Sequence, residues 1–242
     1  LELLKEHSKG LVCFIGALGS RLAEDILNED AAKIDSQIEW FQSFFGEDLY
    51  FEVQRHRMSQ ESLSADGIYQ EAWLLQKYED FIARQDKVNT ALVELSRRYA
   101  IPLVATNSSR YLSRDDWRAH EILINIQSGE PCEVWQKDAQ GNPQFRIPNP
   151  QRRTYASHEH YFKSQAEMET LFSDLPEAIE NTVKVANKCT LELDFKTKHY
   201  PVFVPPSLVD TSYSNVEREA AVEAFLRQLC EEGIHKRYTP ER

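Results

Sequence analysis

A short apolar run between two helical segments indicates the fold class of this chain. Residues 101–105 are apolar apart from Pro102, which stands near the start of the run, where a strand tolerates a missing N–H. An unbroken apolar run with helical patterns on both sides is typical of a parallel strand covered by helices. It ends at polar residues 106–109, where catalytic groups of α/β folds gather. Yet this loop contains no Asp, Glu, His or Cys.

Two earlier apolar runs repeat the pattern. Residues 11–15 and 49–53 read as buried strands, and the residues between and after them show helical spacing, most clearly at 34–45 and 86–99. This alternation predicts an α/β fold in which the three strands lie parallel, as part of a barrel. The strands are too few to close a barrel, so we expect a piece of a longer protein.

The remaining segments give weaker signals. The polar residues 58–67 predict a loop, and the turn-rich residues between Val134 and Phe145 predict a surface hairpin within 131–150. Further predicted elements are helices over 165–172, 175–188 and 215–238 and a strand over 191–195. Asp174 followed by Glu177 predicts a capping box at the second of these helices. The proline-broken residues 200–206 predict a domain boundary.

Composition narrows the function classes. The 242 residues include 28 Lys and Arg against 39 Asp and Glu, a net charge of −11 that argues against a large nucleic-acid surface. No apolar run approaches the roughly 20 residues of a membrane span. The cysteines, Cys13, Cys132, Cys189 and Cys230, form no close pair, which favours reduced thiols in a cytosolic protein. Each reads as a small buried hydrophobe.

Glu52 and His56 form one candidate site. They stand four residues apart, at the end of a predicted strand, and an even spacing places both on one face. Such a pair can bind a metal, and His56 can act as a general base. The alternative, which we favour, is ordinary hydrogen bonding at the rim of the barrel.

The other histidines and arginines carry weaker patterns. His120 and Glu121 begin an HExxH-like stretch, but Ile124 occupies the position of the second His, so a partly buried structural His120 is expected. His158 and His160 have the spacing of metal ligands, but their polar surroundings predict a solvated loop. The basic cluster of Arg146, Arg152 and Arg153 could contact phosphate or simply be solvated. Walker, GxGxxG and GxSxG motifs are absent.

Several stretches in chain order carry a resemblance to a known family. They read KGLVCFIGALGSRLA, FFGEDLYFEVQRH, KVNTALVELSRRYAIPLVATN, AHEILINIQSG, SHEHYFKSQAEMETLFSDLPEAIENTVKVANKC and FLRQLCEEGIHKRY. Together they resemble the alpha subunits of bacterial DNA polymerase III, the replicative polymerases. The resemblance implies that residues 1–200 are the second half of a PHP (polymerase and histidinol phosphatase) domain, a distorted (β/α)7 barrel, with a hairpin insertion at about 131–150. It implies that residues 201–242 are an extended linker and a helix leading into the polymerase palm region.

Active PHP domains bind metal ions for phosphoester hydrolysis, and this chain departs from their ligand pattern. Where the family pattern resembles SGCLGG, Ala17 replaces the thiolate. Where it resembles TNDVHYL, Ser108 replaces the Asp and Arg110 replaces the His. These replacements are poor ligands for divalent metals. We therefore predict no metal-binding and no catalytic residue here, and we expect the Arg110 guanidinium to bond a carboxylate or a backbone carbonyl.

The resemblance also implies function and partners. The full-length protein is expected to be a cytoplasmic DNA-directed DNA polymerase that acts on DNA, uses Mg²⁺ in its palm outside this segment, and assembles with a proofreading exonuclease subunit, a sliding clamp and a clamp loader. This segment would be a metal-free scaffold that supports the polymerase module and docks the proofreading subunit. The alternative is an active PHP phosphoesterase or 3′–5′ exonuclease using Glu52 or His56. A nucleic-acid-binding module is disfavoured by the charge.

Overall fold

The computed structural model describes residues 2–198, 201–209 and 212–238. Their contacts divide the chain into two compact units, Leu1–Thr190 and Leu191–Arg242. The helices are α1 (Glu2–Glu6), α2 (Arg21–Leu27), α3 (Ala31–Phe45), α4 (Gln60–Ala65), α5 (Ala72–Tyr99), α6 (Trp117–Ser128), α7 (Gln165–Leu171), α8 (Pro176–Lys188) and α9 (Asn215–Arg237). The strands are β1 (Cys13–Ile15), β2 (Leu49–Gln54), β3 (Leu103–Thr106), β4 (Glu133–Lys137) and β5 (Pro143–Pro148).

The first three strands form one parallel sheet in the order β1-β2-β3, as predicted. The register places Phe51 of β2 opposite Ile15 on one side and Leu103 on the other. Because strand side chains alternate, Leu49, Phe51 and Val53 all point into the main hydrophobic core, which the helices complete. The prediction of an α/β fold is confirmed at this level.

Strand β3 begins two residues later than predicted. Ile101 and Pro102 precede the strand, and the Pro102 carbonyl accepts a hydrogen bond from the N–H of Phe51. Pro102 has no N–H to donate in return, so regular pairing starts at Leu103. The carboxyl end of β2 extends one residue past the prediction, to Gln54.

The predicted loop over 58–67 is wrong in part, because it contains α4. The side chain of Ser59 accepts a hydrogen bond from the N–H of Ser62 at the start of this helix. Met58 and Leu63 are buried in a second hydrophobic cluster. The predicted helix over 86–99 is the second half of α5, whose first half contributes Leu74, Tyr78 and Ile82 to the same cluster.

Four predicted features of the C-terminal half are confirmed, and two are wrong. Strands β4 and β5 form the antiparallel hairpin, and α7, α8 and α9 lie within a residue or two of their predicted bounds. The strand over 191–195 is not formed among the described residues: Leu191, Leu193 and Phe195 are exposed and pair with no strand. Asp174 does not cap α8, because its carboxylate instead bonds the Arg55 guanidinium.

In the second unit, Phe203 stacks on Phe225 of α9 with ring centroids 5.6 Å apart. The predicted boundary at 200–201 adjoins His199 and Tyr200, which lie outside the described residues, so that boundary stays a prediction. Within the part of the chain that the structure describes, no helix is both long enough and apolar enough to cross a lipid bilayer.

Candidate functional site

The carboxyl ends of β1, β2 and β3 lie at one edge of the sheet, because the three strands are parallel. Ala17, His56 and Ser108 each stand two residues beyond the last residue of a strand, namely Ile15, Gln54 and Thr106. In α/β proteins this edge is where chemistry is placed. It is therefore the candidate site, and we refer to it as the carboxyl edge.

His56 is buried at the carboxyl edge, and both of its ring nitrogens are engaged. Its backbone N–H donates to Gln85 Oε1 at 2.8 Å, which leaves the Gln85 amide nitrogen to donate to His56 Nδ1 at 2.9 Å. Since Nδ1 then accepts, the ring proton is on Nε2, which donates to the Asn107 carbonyl at 2.9 Å. Burial lowers the pKa of His56 to about 4, against the opposing effect of the Asn107 hydrogen bond. The ring is neutral and has no free lone pair.

Glu52 has different partners from His56. Its carboxylate accepts hydrogen bonds from the Thr106 hydroxyl and, at 2.9 Å, from the Gln54 amide. Gln54 also donates to Thr106 at 2.9 Å, so the three side chains form a small polar ladder across β2 and β3. These are the contacts of the hydrogen-bonding alternative, and they do not bring Glu52 and His56 together as a ligand pair.

The prediction of a solvated loop at His158 and His160 is wrong, since both side chains are buried. The His160 ring lies 4.1 Å from that of His56, centroid to centroid. Burial lowers the pKa of His160 to about 3, and the proximity of His56 lowers it further. His158 stacks on Trp117 at 3.8 Å, and its Nδ1 lies 3.0 Å from Asp66 Oδ2. Sequence spacing could not reveal this, because Asp66 and Trp117 are remote in the chain.

Asp66 holds His158 in place together with Arg114. The Arg114 guanidinium donates to both carboxylate oxygens of Asp66, at 2.9 and 3.3 Å. Burial acts to raise the pKa of Asp66, but the hydrogen bonds from Arg114 and His158 outweigh it, and the net shift is downward. Burial also lowers the pKa of His158, so the ring is neutral and Nδ1 carries the proton given to Asp66.

The basic cluster predicted from sequence is dispersed in the structure. The Arg152 guanidinium is buried and donates to Glu71 at 2.6 and 2.7 Å and to Glu121 at 3.1 Å. Arg146 lies 3.6 Å from Glu133 on the exposed hairpin. Arg153 is exposed and anchored by its backbone N–H, which donates to Asn125. The prediction that the cluster is solvated is therefore wrong for Arg152, whose guanidinium is buried in ion pairs.

His120 and the four cysteines show no arrangement typical of a catalytic or metal site among the described residues. His120 is half-buried, 5.4 and 5.2 Å from the rings of Tyr111 and Tyr155, and burial lowers its pKa. All four cysteines are free. Cys13 and Cys132 are half-buried, and burial raises the pKa of the Cys13 thiol to about 11. Cys189 and Cys230 are exposed, so the prediction of a small buried hydrophobe is wrong for them.

No family model matches the chain. Curated relatives do match it along almost its whole length. DNA polymerase III subunit alpha of Chlamydia muridarum is 47% identical over 241 residues, which cover 99% of this chain and 19% of the relative. The subunit alpha of Chlamydia trachomatis is 46% identical over the same coverage, and that of Borreliella burgdorferi is 32% identical over 235 residues, or 97% of this chain and 16% of the relative.

The chain belongs to the DNA polymerase III subunit alpha family. The predicted family is thus confirmed. The chain spans about a fifth of the length of the Chlamydia relatives.

The residues at the carboxyl edge do not fit the metal ions of an active PHP domain. Ala17 offers a methyl group, and Ser108, in a left-handed backbone conformation with φ of 47°, offers a hydroxyl. Among residues 2–198, 201–209 and 212–238, no group of three or more His, Cys, Asp or Glu side chains could hold a metal ion.

Arg110 differs from expectation. Its backbone N–H donates to the His160 carbonyl at 2.7 Å, but its guanidinium makes no hydrogen bond or ion pair with any described residue. The guanidinium is exposed and lies 5.9 Å from the centre of the Tyr155 ring. The predicted bond to a carboxylate or carbonyl is wrong, and a cation–π contact takes its place.

Proposed function

We propose that this chain is a segment of a replicative polymerase, the alpha subunit of DNA polymerase III, which carries out template-directed DNA synthesis in the cytoplasm. The observation that carries the proposal is the match of 99% of the chain, at 46–47% identity, to proteins of that name. The full-length protein would bind DNA and use Mg²⁺ in its palm, outside this segment. Its further partners would be the proofreading exonuclease subunit, the sliding clamp and the clamp loader.

Within that protein, residues 1–200 would be the second half of a PHP barrel, and residues 201–242 the linker and first helix of the polymerase module. The parallel order β1-β2-β3, with helices in each crossover, supports this assignment. So does the polar ladder of Glu52, Gln54 and Thr106, which faces away from the main core, as an inner barrel face would.

We further propose that the PHP domain is a metal-free scaffold that supports the polymerase module and docks the proofreading subunit. Two features of the carboxyl edge support the metal-free part of this proposal. Ala17, Ser108 and Arg110 offer no metal ligand of the kind that an active domain needs. His56 would have to break its bonds to Gln85 and Asn107 before it could bind a metal.

The test uses the purified full-length subunit, without the proofreading subunit and with the palm aspartates substituted. We expect no stoichiometric zinc or manganese and no 3′–5′ exonuclease activity, while the unsubstituted subunit extends a primer in the presence of Mg²⁺. Stoichiometric metal together with nuclease activity lost on chelation would establish the exonuclease alternative and overturn the scaffold proposal.

A matched variant sharpens the test. Ser108→Asp with Arg110→His restores two family ligands, but Ala17 still lacks its thiolate and His56 is still bonded to Gln85. We therefore expect this double variant to remain metal-free and inactive as a nuclease. Recovery of chelator-sensitive nuclease activity in the double variant alone would mean that only these two substitutions disable the site.

A further inference from the structure

Helix α6 buries its more polar side. The inward side is fixed by contacts: Trp117 stacks on His158, Glu121 bonds Arg152, and the Asn125 side chain bonds both the N–H and the carbonyl of Arg153, at 2.8 and 2.6 Å. These three residues recur at i, i+4 and i+8, so they lie along one side of the helix. The opposite side therefore faces outward.

The outward side carries an apolar stripe. Ala119, Ile122, Leu123 and Ile126 follow the i, i+3, i+4, i+7 pattern and cover an arc of about 100°. Such a stripe ordinarily faces a core. Here Ile122 is 50% exposed, Leu123 63% and Ile126 71%. Within the described part of the chain these side chains lack an apolar cover.

A cleft adjoins the stripe. It has a volume of about 520 Å³ and opens between α6, residues 65–74 and the base of the hairpin. Ile122 and Trp117 line one side, and Cys132 and Pro148 line the other. At the edge of the stripe, Arg118 is exposed, and its only described interaction is with the Trp117 ring, 5.3 Å away. The cleft is also lined by Asp66, Glu71, Glu121 and Glu133, which are paired with Arg114, Arg152 and Arg146. An occupant would thus meet an apolar strip, a partly polar recess and, at the edge, the cation of Arg118.

We propose that the outward stripe of α6 docks a segment of the same polypeptide that lies outside these 242 residues and presents apolar side chains flanked by an acidic residue. This rests on the proposed function, in which the chain is part of a full-length alpha subunit. The Chlamydia relatives carry about four fifths of their length outside the matched segment. A covalently linked partner has a high effective concentration, which favours it over a second copy in solution.

The experiment places a photo-crosslinking benzoylphenylalanine at Ile126 of the full-length subunit. The matched control is the same residue at Val183 of α8, an aliphatic position that is 59% exposed. We expect position 126 to form crosslinks within one polypeptide, at the mass of a single chain, to a segment outside residues 1–242. Position 183 should give few or none.

Crosslinks from position 126 that join two copies, or that reach residues 191–242, would overturn the proposal, as would equal yields at positions 126 and 183. A second measurement uses Leu123→Asp, which leaves Trp117, Glu121 and Asn125 in place. We expect it to reduce the crosslink yield from position 126 several-fold, with Val183→Asp as the neutral control. Unchanged yield in Leu123→Asp would also count against docking.

Primer extension separates this inference from the proposed function. If the wild-type subunit extends primers but position 126 forms no crosslink within the chain, only the docking inference fails. If the wild-type subunit does not extend primers, the proposed function itself fails.

Discussion

At the scale of single residues, Gln85 determines which ring nitrogen of His56 carries the proton. A glutamine can donate and accept at once, and here its amide donates to Nδ1 while its carbonyl accepts from the His56 backbone. This arrangement satisfies every polar atom of a fully buried imidazole in its neutral form. An imidazolium would fit poorly here, because its Nδ1–H would point at the Gln85 amide nitrogen, which is itself a donor.

Gln85→Glu should therefore raise the pKa of His56 above its value of about 4. A carboxylate accepts only, so the ring must protonate Nδ1 to keep that hydrogen bond, while Nε2–H still donates to Asn107. A pH titration of the His56 ring resonance by NMR measures the change. Gln76→Glu, which adds the same charge at an exposed position of α5, should leave the His56 pKa near 4; an equal shift in both variants would contradict the argument.

The sequence could suggest some of these residues and not others. Strand alternation and the end of an apolar run pointed to Glu52 and His56, because both signals are local. The partners of His158 could not be inferred, since Asp66 and Trp117 stand 92 and 41 positions away and meet it only through the tertiary fold. The polar residues next to His158 in the sequence predict a solvated loop, and only the tertiary contacts show that the side chain is buried.

At the scale of elements, α5 joins the two hydrophobic clusters. Its 28 residues bury Leu74, Tyr78 and Ile82 in one cluster and Val88, Leu92 and Leu95 in the other, with Gln85 between them. The helix ends at Tyr99, and the next residue, Ala100, has a left-handed φ of 54° before the turn into β3. A residue with a Cβ is strained in that conformation.

Ala100→Gly should stabilise the protein by about 1 kcal/mol, because glycine adopts the left-handed conformation without a steric penalty. Equilibrium denaturation measures the free energy of unfolding. Ala83→Gly, at an exposed position inside the same helix, should destabilise by about 1 kcal/mol. The two substitutions share their chemistry and differ in backbone conformation, so a destabilised Ala100→Gly variant would refute the explanation.

Elements were predictable where pattern and packing agree. The apolar runs of β1, β2 and β3 are buried on the core side, so their apolar pattern correctly predicted buried strands. Residues 191–195 alternate like a strand, but no neighbouring strand is available in the described chain, and propensity without a partner does not form a sheet. Helix α4 was missed because its polar residues conceal a single buried Leu63.

At the scale of the whole molecule, Arg152 ties distant segments together. Its guanidinium joins Glu71, at the start of α5, to Glu121 of α6, and stands over the Trp73 ring at 5.3 Å. Each partner is largely buried, so the attraction between the charges offsets a large desolvation cost.

Arg152→Ala should destabilise the protein by about 3–5 kcal/mol, because it leaves Glu71 and Glu121 as buried carboxylates without a counter-charge. Chemical denaturation monitored by tryptophan fluorescence measures this loss. Arg146→Ala removes an exposed pair with Glu133 and should cost less than about 1 kcal/mol. Adding Glu71→Gln and Glu121→Gln to Arg152→Ala should recover part of the stability; no recovery would show that packing, and not uncompensated charge, dominates.

The length of α5 has a consequence for how the first unit opens. A continuous helix of 28 residues spans about 42 Å, and its two halves are rooted in different hydrophobic clusters. Neither cluster can melt alone without fraying or bending the shared helix at Gln85. We therefore expect the two clusters to behave as one cooperative unit in native-state hydrogen exchange, with the amides around Gln85 and His56 exchanging only when both clusters have come apart.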